Sequence, residues 1–444
     1  KGEMLVYVTK SQLNAGGKNY IADNNGKTLE VTVRVFDKAG NSTVYTKSSS
    51  KLIVDSTAPV AKTIGTITTV GGNVVADYWN STNESVNAIV NLDVNDGSLT
   101  GGEIVIQATH DNGGNWTDLR QISSGAETDT MDIGTVSATK TVTVDTSYST
   151  NGKYGIDNFP TSFSSTLADN KRIYFRAAVL DVAGNRTFWP QSTAYLTTKQ
   201  TLPTVTMVTS DWTDKAYKQD DIIRILVVAL SNNSLGVKEN LYVTGGTPIL
   251  TLETGDNDAL VNEVTRTTED DTLWFDYKVG AGHTSLDLST KALTVGSGVK
   301  VLDAYGNPLD PALPNDANAK SLKKKKDIVI DTTPPSVRFT YDDADSLVNF
   351  EDGTLIITAT FSDSVTTDRV PKISADFPAK GTIGNAGANG TATAGDVTDQ
   401  DMTAASSDGK KFTYNLPLVD NSDGVIKLTM NAVDKALNPV TVDS

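Results

Sequence analysis

Hydrophobic and polar residues alternate with a period of two along most of the 444-residue chain. Residues 31–35 place three valines on one side and polar residues on the other, and residues 141–144 and 249–252 show the same pattern. Strands of this kind bury one face against a second sheet and leave the other face in water. Helical periodicity is scarce, and clusters of Gly, Asn and Asp separate the alternating runs. The pattern predicts an all-β chain built of antiparallel β-sandwiches.

A five-residue motif, Asp-x-x-Gly-Asn, recurs along the chain and marks an internal repeat. It begins at Asp37, Asp181 and Asp303, and a fourth copy that begins at Asp434 has Leu437 in place of the glycine. The strand before each copy is in register with the others. Two and four residues before each aspartate stand apolar residues: Val35 and Val33, Val179 and Ala177, Val301 and Val299, and Ala432 and Met430. These matched positions indicate four related units.

A second motif closes the units and predicts their boundaries. Residues 54–59 read Val-Asp-Ser-Thr-Ala-Pro, and residues 330–335 read Ile-Asp-Thr-Thr-Pro-Pro. The second unit ends similarly but has Lys199 in place of the aspartate, and residues 442–444 repeat Val-Asp-Ser. Proline ends a strand because it cannot donate to the ladder. We therefore predict a partial or small unit at 1–59, followed by sandwiches at 60–203, 204–335 and 336–444, the last of which ends inside a linker.

Together the two motifs resemble those of the Ig-like repeats that occur in tandem in very large secreted and cell-surface proteins of bacteria, of adhesin or S-layer type. The likeness rests on Asp-x-Ala-Gly-Asn followed by Val-Asp-x-Thr-x-Pro, and it covers nearly the whole chain. Residues 275–282 resemble a late-strand motif of such repeats. The resemblance implies tandem Ig-like antiparallel β-sandwich domains, joined by short Pro-containing linkers and located outside the bacterial cell. It is specific for architecture and says little about function.

Composition and charge remove several functional classes. The chain carries 54 Asp and Glu against 38 Lys and Arg, a formal net charge of −16 that disfavours binding to nucleic acids. It has no cysteine, and hence neither disulfides nor thiolate metal sites, and only two histidines. No apolar run is long enough to span a membrane. Because no nucleophile elbow, phosphate-binding loop or paired-histidine metal motif is present, we predict that the chain is not an enzyme.

Calcium is the cofactor that the acidic domain ends favour. Hard cations bind carboxylate, amide and carbonyl oxygens, and these groups cluster on both sides of each linker. The candidate calcium ligands are Asp37, Asn41, Asp55, Asp303, Asn307, Asp331, Asp434 and Asp443. The alternative is that these side chains cap their own turns, with Gly40 or Gly306 supplying a positive φ. At the second linker the ammonium group of Lys199 opposes a cation, so we expect packing alone to hold that linker.

Three other groups of residues have both a functional and a structural interpretation. Tryptophans could stack on sugars, but near sandwich ends they usually seal the core, and we favour the core interpretation for Trp79, Trp116, Trp189, Trp212 and Trp274. His110 and His283 lie next to turns and are interpreted as solvated loop residues. The lysines at 323–326 could contact an acidic neighbour or an anionic polymer, but a solvated charge run is the simpler interpretation.

From these features we predict a non-enzymatic structural or adhesive segment of a bacterial extracellular repeat protein, an extended stalk of Ig-like domains that calcium would stiffen. The expected partners are neighbouring domains of the parent chain, copies of the chain itself and surface glycans. Two alternatives stay open. One is a self-assembling S-layer or filament subunit, and the other is a glycan- or receptor-binding module with a Trp-lined pocket at one sandwich end.

Overall fold

The computed structural model describes residues 10–13, 25–29, 32–45, 52–110, 112–119, 121–123, 126–128, 130–145, 168–231, 240–264, 270–343, 348, 353–366, 368–377, 397–418 and 425–442. Almost all regular structure in these residues is β-strand. The helices described are single turns, α1 (Lys10–Leu13) and α2 (Leu322–Lys325), with a 3₁₀ turn at Gly97–Leu99. In this part of the chain, no helix is long and apolar enough to cross a membrane.

Internal contacts divide the chain into two compact units. The first comprises Lys1–Leu202, Asn232–Gly236 and Asp303–Asn307, and the second comprises Pro203–Ser231, Val237–Leu302 and Pro308–Ser444. The short turn Asp303–Asn307 thus belongs to the first unit, although it lies between strands of the second in sequence.

The first unit begins with two pairs of short antiparallel strands. They are β1 (Thr28–Leu29), β2 (Val33–Phe36), β3 (Ser42–Tyr45) and β4 (Leu52–Ile53). β1 pairs with β4, and β2 forms a hairpin with β3 around the turn at 37–41. Val35 on this hairpin is 51% exposed, whereas its counterparts in the later repeats, Val179, Val301 and Ala432, are buried. The hairpin therefore has the sequence of a core element, but its apolar face is open in the described residues.

The rest of the first unit is a two-sheet β-sandwich. Its strands are β5 (Ile64–Val70), β6 (Tyr78–Asn80), β7 (Ser85–Asn91), β8 (Glu103–Thr109), β9 (Thr117–Asp118), β10 (Gln121–Ser123), β11 (Ala126–Thr128), β12 (Met131–Asp132), β13 (Thr139–Asp145), β14 (Arg172–Leu180), β15 (Arg186–Phe188) and β16 (Leu196–Lys199). One sheet has the order β11-β10-β13-β7-β5. The other has the order β12-β8-β14-β16-β6, with β9 beside β8 and β15 beside β14. Alternate residues of β7 and β14, among them Ala88 and Phe175, form one buried cluster with Trp79 and Trp189.

The second unit contains two further sandwiches. Strands of the first are β17 (Pro203–Ser210), β18 (Ala216–Tyr217), β19 (Ile222–Ser231), β20 (Tyr242–Thr244), β21 (Ile249–Glu253), β22 (Ala259–Asn262), β23 (Thr272–Lys278), β24 (Thr284–Ser285), β25 (Ser289–Thr294), β26 (Lys300–Leu302) and β27 (Val329–Asp331). Strands of the second are β28 (Ser336–Tyr341), β29 (Thr354–Phe361), β30 (Lys372–Asp376), β31 (Val397–Asp401), β32 (Thr403–Ala404), β33 (Lys411–Pro417), β34 (Lys427–Asn431) and β35 (Thr441–Val442). The main sheets are β17-β19-β23 and β22-β21-β25 in the first, and β32-β33-β29-β28-β35 and β31-β30-β34 in the second.

Each of the three sandwiches has the same exception to antiparallel pairing. β6 pairs in parallel with β16, β18 with β27 and β28 with β35. In every case an early strand lies beside the last strand of its own sandwich, so that the beginning and the end of the domain share one sheet. The chain is therefore all-β, with tandem Ig-like antiparallel sandwiches, and the predicted fold class is confirmed.

The hydrophobic cores are separate from one another. Their buried residues fall within 64–196, 205–330 and 337–432. The predicted domain boundaries at 203 and 335 lie between these ranges, and the boundary at 59 precedes the first. The extent of each domain stays a prediction.

Candidate functional site at the linkers

Each copy of the Asp-x-x-Gly-Asn motif forms the same tight turn. The backbone N–H of the aspartate donates to the carbonyl oxygen of the asparagine at 2.9 to 3.1 Å, and the N–H of the fourth residue donates back to the aspartate carbonyl. The fourth residue has a positive φ, which is 87° at Gly40, 86° at Gly184, 88° at Gly306 and 70° at Leu437. Glycine adopts this conformation freely, whereas other residues lose energy in it. The turn thus explains the glycine of the motif and identifies Leu437 as strained.

The aspartate carboxylate of each turn is satisfied inside the turn. Oδ1 accepts the backbone N–H of the asparagine four residues later, and Oδ2 accepts its side-chain amide. The two distances are 2.9 and 2.8 Å at Asp37, 2.8 and 2.9 Å at Asp181, 2.8 and 3.0 Å at Asp303, and 2.9 and 2.8 Å at Asp434. These bonds, the side-chain bond from Asn41 first, hold the pKa of Asp37 below its ordinary value. This geometry is the one expected if Asp and Asn cap their own turns, the alternative to calcium binding given above.

The asparagine amide has a second proton, and three of the turns use it to hold a linker. The bonds run from Nδ2 of Asn185 to the carbonyl oxygen of Asp55 (3.2 Å), from Asn307 to that of Lys199 (3.0 Å), and from Asn438 to that of Asp331 (2.9 Å). The first two lie within the first unit and the third within the second. The acceptor occupies the same position of the linker motif each time. We call this arrangement the asparagine latch: the asparagine, the aspartate of its turn and the linker carbonyl.

Burial makes the latch costly to open. Asp181, Asp303, Asn307, Asp434 and Asn438 are almost completely removed from solvent. Water therefore has little access to replace a broken bond, and a buried carbonyl or amide left without a partner destabilises the fold by about 1–3 kcal/mol. The latch thus favours one linker conformation over the alternatives.

The proline of each linker is held as well. Oγ1 of Thr187 donates to the carbonyl oxygen of Pro59 (2.6 Å), the backbone N–H of Asp310 to that of Pro203 (2.9 Å), and the N–H of Thr441 to that of Pro335 (3.0 Å). In each case the donor lies two or three residues after the asparagine that closes an Asp-x-x-Gly-Asn turn or its Leu437 copy. Because proline also fixes its own φ, few backbone angles of the linker stay free.

The second linker keeps its latch although Lys199 replaces the usual aspartate. In the other linkers Oδ1 of Asp55 and of Asp331 accepts the backbone N–H two residues later, at 3.0 Å. At the second linker Asp169, from a separate loop, accepts the N–H of Gln200 at 2.7 Å. The expectation that packing alone holds this linker is therefore wrong, because hydrogen bonds to its carbonyl and N–H groups hold it too.

The candidate calcium ligands are distributed over these turns and linkers. Asp37 with Asn41 and Asp303 with Asn307 pair inside single turns, Asp55 and Asp331 belong to latched linkers, Asp434 holds Asn438, and Asp443 lies outside the described residues. Among the residues that the structure describes, no three acidic or histidine side chains are grouped so as to hold a metal ion. Calcium binding stays a prediction.

Asp331 is the candidate whose surroundings best fit a cation. Burial raises its pKa, and the charges of Asp434 and Asp363 raise it further, against a lowering by the N–H of Thr333. A carboxylate in this environment is stabilised by a nearby positive charge. The turn aspartates fit less well, because both of their oxygens already accept N–H groups that a cation would have to displace.

The predicted site omits Asn185 and Asn438, the donors of two latches. A signal for them was present, since the asparagine closes all four copies of the motif while its inner positions vary. Asp169 had no such signal, because it lies outside both motifs and reaches the second linker only through the fold.

The core interpretation of the tryptophans is confirmed for Trp79 and Trp189, which are buried in the first sandwich core. It is wrong for Trp212, which is 42% exposed. Trp116 and Trp274 are half-buried, and each stacks on an arginine side chain.

His283 lies in a loop and is half-buried, and its imidazole is held by its neighbours. Its Nδ1 atom accepts the N–H of Gly280 at 3.2 Å and lies 2.8 Å from the hydroxyl of Tyr277, on whose ring the imidazole stacks. Burial raises the pKa of that tyrosine. In the basic run at 323–326, Lys326 pairs with Asp214 at 3.1 Å, so the run has an acidic neighbour within the chain.

Comparison with known proteins gives no family assignment. No protein-family model matches the chain, and no curated protein matches it. Among solved structures, a 1.5-MDa bacterial ice-binding adhesin is similar over 87% of this chain and 96% of its own, with 13% identity and a TM-score of 0.31. The Escherichia coli adhesin FdeC is similar over 86% and 96%, with 14% identity and a TM-score of 0.29. Domains FN1–FN3 of chicken CNTN1 are similar over 85% and 95%, with 11% identity and a TM-score of 0.21. At these TM-scores the likenesses carry no argument.

Proposed function

We propose that the chain is a non-enzymatic structural segment of a bacterial extracellular repeat protein, in which tandem Ig-like domains form a stalk with an adhesive role. The observation that carries this proposal is the asparagine latch, which occurs with the same geometry at three linkers. A device that repeats at every described linker serves the connection between domains and not the chemistry of one domain.

The proposed mechanism is mechanical. Each sandwich has its own buried core, and the latch and the proline bond together fix two carbonyl groups of the linker. Each such hydrogen bond contributes about 0.5–1.5 kcal/mol net. These contributions are small compared with the stability of a domain, but they act on the few backbone angles that set the direction of the next domain.

Calcium belongs to the proposal at the linker between the last two sandwiches. There Asp331 would hold the ion, which would supply positive charge beside the carboxylate of Asp434, while both oxygens of Asp434 keep their bonds to Asn438. The latch needs no metal, so the proposal predicts that calcium adds to the stiffness of this linker and does not create it.

Two other functions make different predictions. A self-assembling S-layer or filament subunit would form ordered polymers from the purified chain. A glycan- or receptor-binding module would have a pocket lined with tryptophan at a sandwich end. A described cleft of about 790 Å³ in the second unit is lined mainly by charged and polar residues, including Glu253, Asp287 and Lys291. We place the stalk first because the latch repeats at three linkers.

Negative-stain electron microscopy of the purified chain, in calcium and again in EDTA, tests the proposal. We expect separate beaded rods in both conditions, with a narrower spread of bend angles in calcium. Identical spreads in calcium and EDTA would remove calcium from the proposal and leave the stalk. A lattice or filament would contradict the stalk and favour self-assembly.

A further inference from the structure

A cationic and aromatic surface lies on the outer face of one sheet of the first unit. The register of the strands brings its residues together from distant parts of the sequence. Arg176 on β14 stands opposite Gln107 on β8, which stands opposite Asp118 on β9. On the other side of β14, Phe188 of β15 stands opposite Ala178, the next residue on the same face as Arg176.

On this face guanidinium groups and aromatic rings stack in alternation. The stacks, measured from the guanidinium carbon to the ring centroid, are Arg176 on Trp116 (4.4 Å), Arg176 on Phe188 (4.4 Å), Arg186 on Phe188 (4.6 Å) and Arg172 on Tyr195 (4.5 Å). We call these six residues the arginine–aromatic face. They hold three of the nine arginines of a chain whose net charge is −16. The repeated motifs of the domains contain no arginine, so they do not explain why these arginines lie together.

The arginine–aromatic face carries guanidinium N–H groups that can donate hydrogen bonds to a ligand. Stacking uses the plane of a guanidinium group and leaves the N–H groups at its edge for hydrogen bonds. The Nε atom of Arg176 donates to Oε1 of Gln107 at 2.6 Å, and Gln107 in turn donates to the buried carboxylate of Asp118. Within the described residues this is the one hydrogen bond of the Arg176 guanidinium group, and the guanidinium group of Arg172 forms none. Arg176 is thus oriented in advance by a buried chain of bonds, while its terminal N–H groups stay available.

The charges around Arg176 and Arg186 favour an anion. Three carboxylates, Glu103, Asp118 and Asp132, lie on the same side of the sheet as the three arginines, and Asp118 is buried behind Gln107. Burial lowers the pKa of Arg176, Asp118 opposes that effect, and the positive charge of Arg186 adds to it. Arg176 and Arg186 contact the same Phe188 ring, so an anion bound near both guanidinium groups would reduce their mutual repulsion.

We propose that the arginine–aromatic face binds a carboxylated polysaccharide, a chain of uronic-acid type. Guanidinium groups bind carboxylates through paired N–H bonds, and aromatic rings accept the C–H face of a pyranose ring. The alternation of the two group types matches a polymer in which carboxylates recur along a chain of pyranose rings. An acidic peptide would satisfy the arginines but not the rings, and a neutral glycan the rings but not the arginines.

Isothermal titration calorimetry on the full chain tests this proposal. The probes are hexasaccharides of alginate and of hyaluronan, with neutral maltohexaose and a glutamate hexapeptide as comparisons. We expect at least one uronic-acid probe to bind, more weakly as salt is raised, and the two comparison probes to bind at least tenfold more weakly. Arg176→Gln and Trp116→Ala should each weaken binding about tenfold or more, because each removes one of the two required contacts.

Arg224→Gln is the matched control. Arg224 stacks on Trp274 in the same way, but its guanidinium already pairs with both oxygens of Asp276 (2.6 and 2.8 Å). The Arg224→Gln variant should therefore bind the uronic-acid probes with the same affinity as the wild type. The exposed Arg172→Gln serves as a second variant should Arg176→Gln fail to fold. The proposal is overturned if neither uronic-acid probe binds, if a comparison probe binds equally well, or if the variants of the face bind like the wild type.

Discussion

At the scale of single residues, one side chain does two things at each latched linker. Asn438 closes its turn by donating to Asp434, and its remaining amide proton holds the carbonyl oxygen of Asp331. Asparagine is suited to this because its amide carries two donors on one nitrogen, whereas aspartate in the same place would carry none. The same reasoning applies to Asn185 and Asn307.

Leu437 gives a prediction about strain in the fourth turn. It has a φ of 70° where the other three copies have glycine. Leu437→Gly should stabilise the last sandwich by about 0.5–1 kcal/mol, since the relief of left-handed strain exceeds the entropy cost of a glycine. Differential scanning calorimetry of the full chain would show one transition moving to higher temperature.

The matched control for this prediction is Gly184→Ala. A Cβ added at Gly184 meets no atom within 4 Å, so the change introduces strain without a clash. It should lower the stability of its own sandwich by about 1 kcal/mol. Equal effects of the two substitutions, in sign and size, would show that the positive φ is not what selects glycine.

Asp331 gives a prediction about pH. Its pKa in the folded chain lies above the ordinary value of 3.8, with burial as the largest cause. A carboxyl group with a raised folded pKa favours folding when protonated, and this contribution is lost as pH rises through the folded pKa. Asp331→Asn should therefore stabilise the second unit at pH 7, and its advantage over the wild type should shrink as pH falls toward 4. Calorimetric melting curves at several pH values measure this difference, and an advantage that does not change with pH would contradict it.

At the scale of strands and turns, the same pattern of residues has different outcomes in different repeats. Val35 and Val179 occupy equivalent positions before the Asp–Asn turn, but Val35 lies on an open hairpin and Val179 is fully buried in a core. Burial, and not the local pattern, determines what each valine contributes to stability.

This contrast can be measured with a pair of substitutions. Val179→Ala should cost about 1–3 kcal/mol, because it removes buried methyl groups and leaves a cavity. Val35→Ala should change stability by less than about 0.5 kcal/mol. Calorimetry of both variants tests the comparison, and a large cost at Val35 would show that the hairpin packs against part of the chain.

Strands and turns were the features that the sequence predicted best. Alternation in residues 249–252 matches the alternate burial of β21, and the glycine of the repeated motif matches a positive φ. These properties depend on residues close together in sequence. The second bond of Asn438, the role of Asp169 and the stacking of Arg176 between two rings depend on the register of distant segments. No spacing within the sequence contains that information.

At the scale of the whole molecule, independent sandwich cores are joined by linkers that a few buried or partly buried hydrogen bonds hold. Each core can stay folded while a linker changes direction, so the latch should affect the angle between domains much more than their stability. The two sandwiches of the second unit allow this to be tested at the linker held by Asn438 and Asp331.

The most direct test measures a distance distribution across that linker. The chain has no cysteine, so spin labels can be placed on cysteines introduced at Leu286 and Val425, which are 89% and 88% exposed, and read by double electron–electron resonance. We expect a single narrow distribution in the parent chain and in the exposed control Asn431→Ala, and a clearly broader one in Asn438→Ala. A distribution in Asn438→Ala as narrow as in the parent chain would contradict the claim that the asparagine latch sets the geometry of the linker.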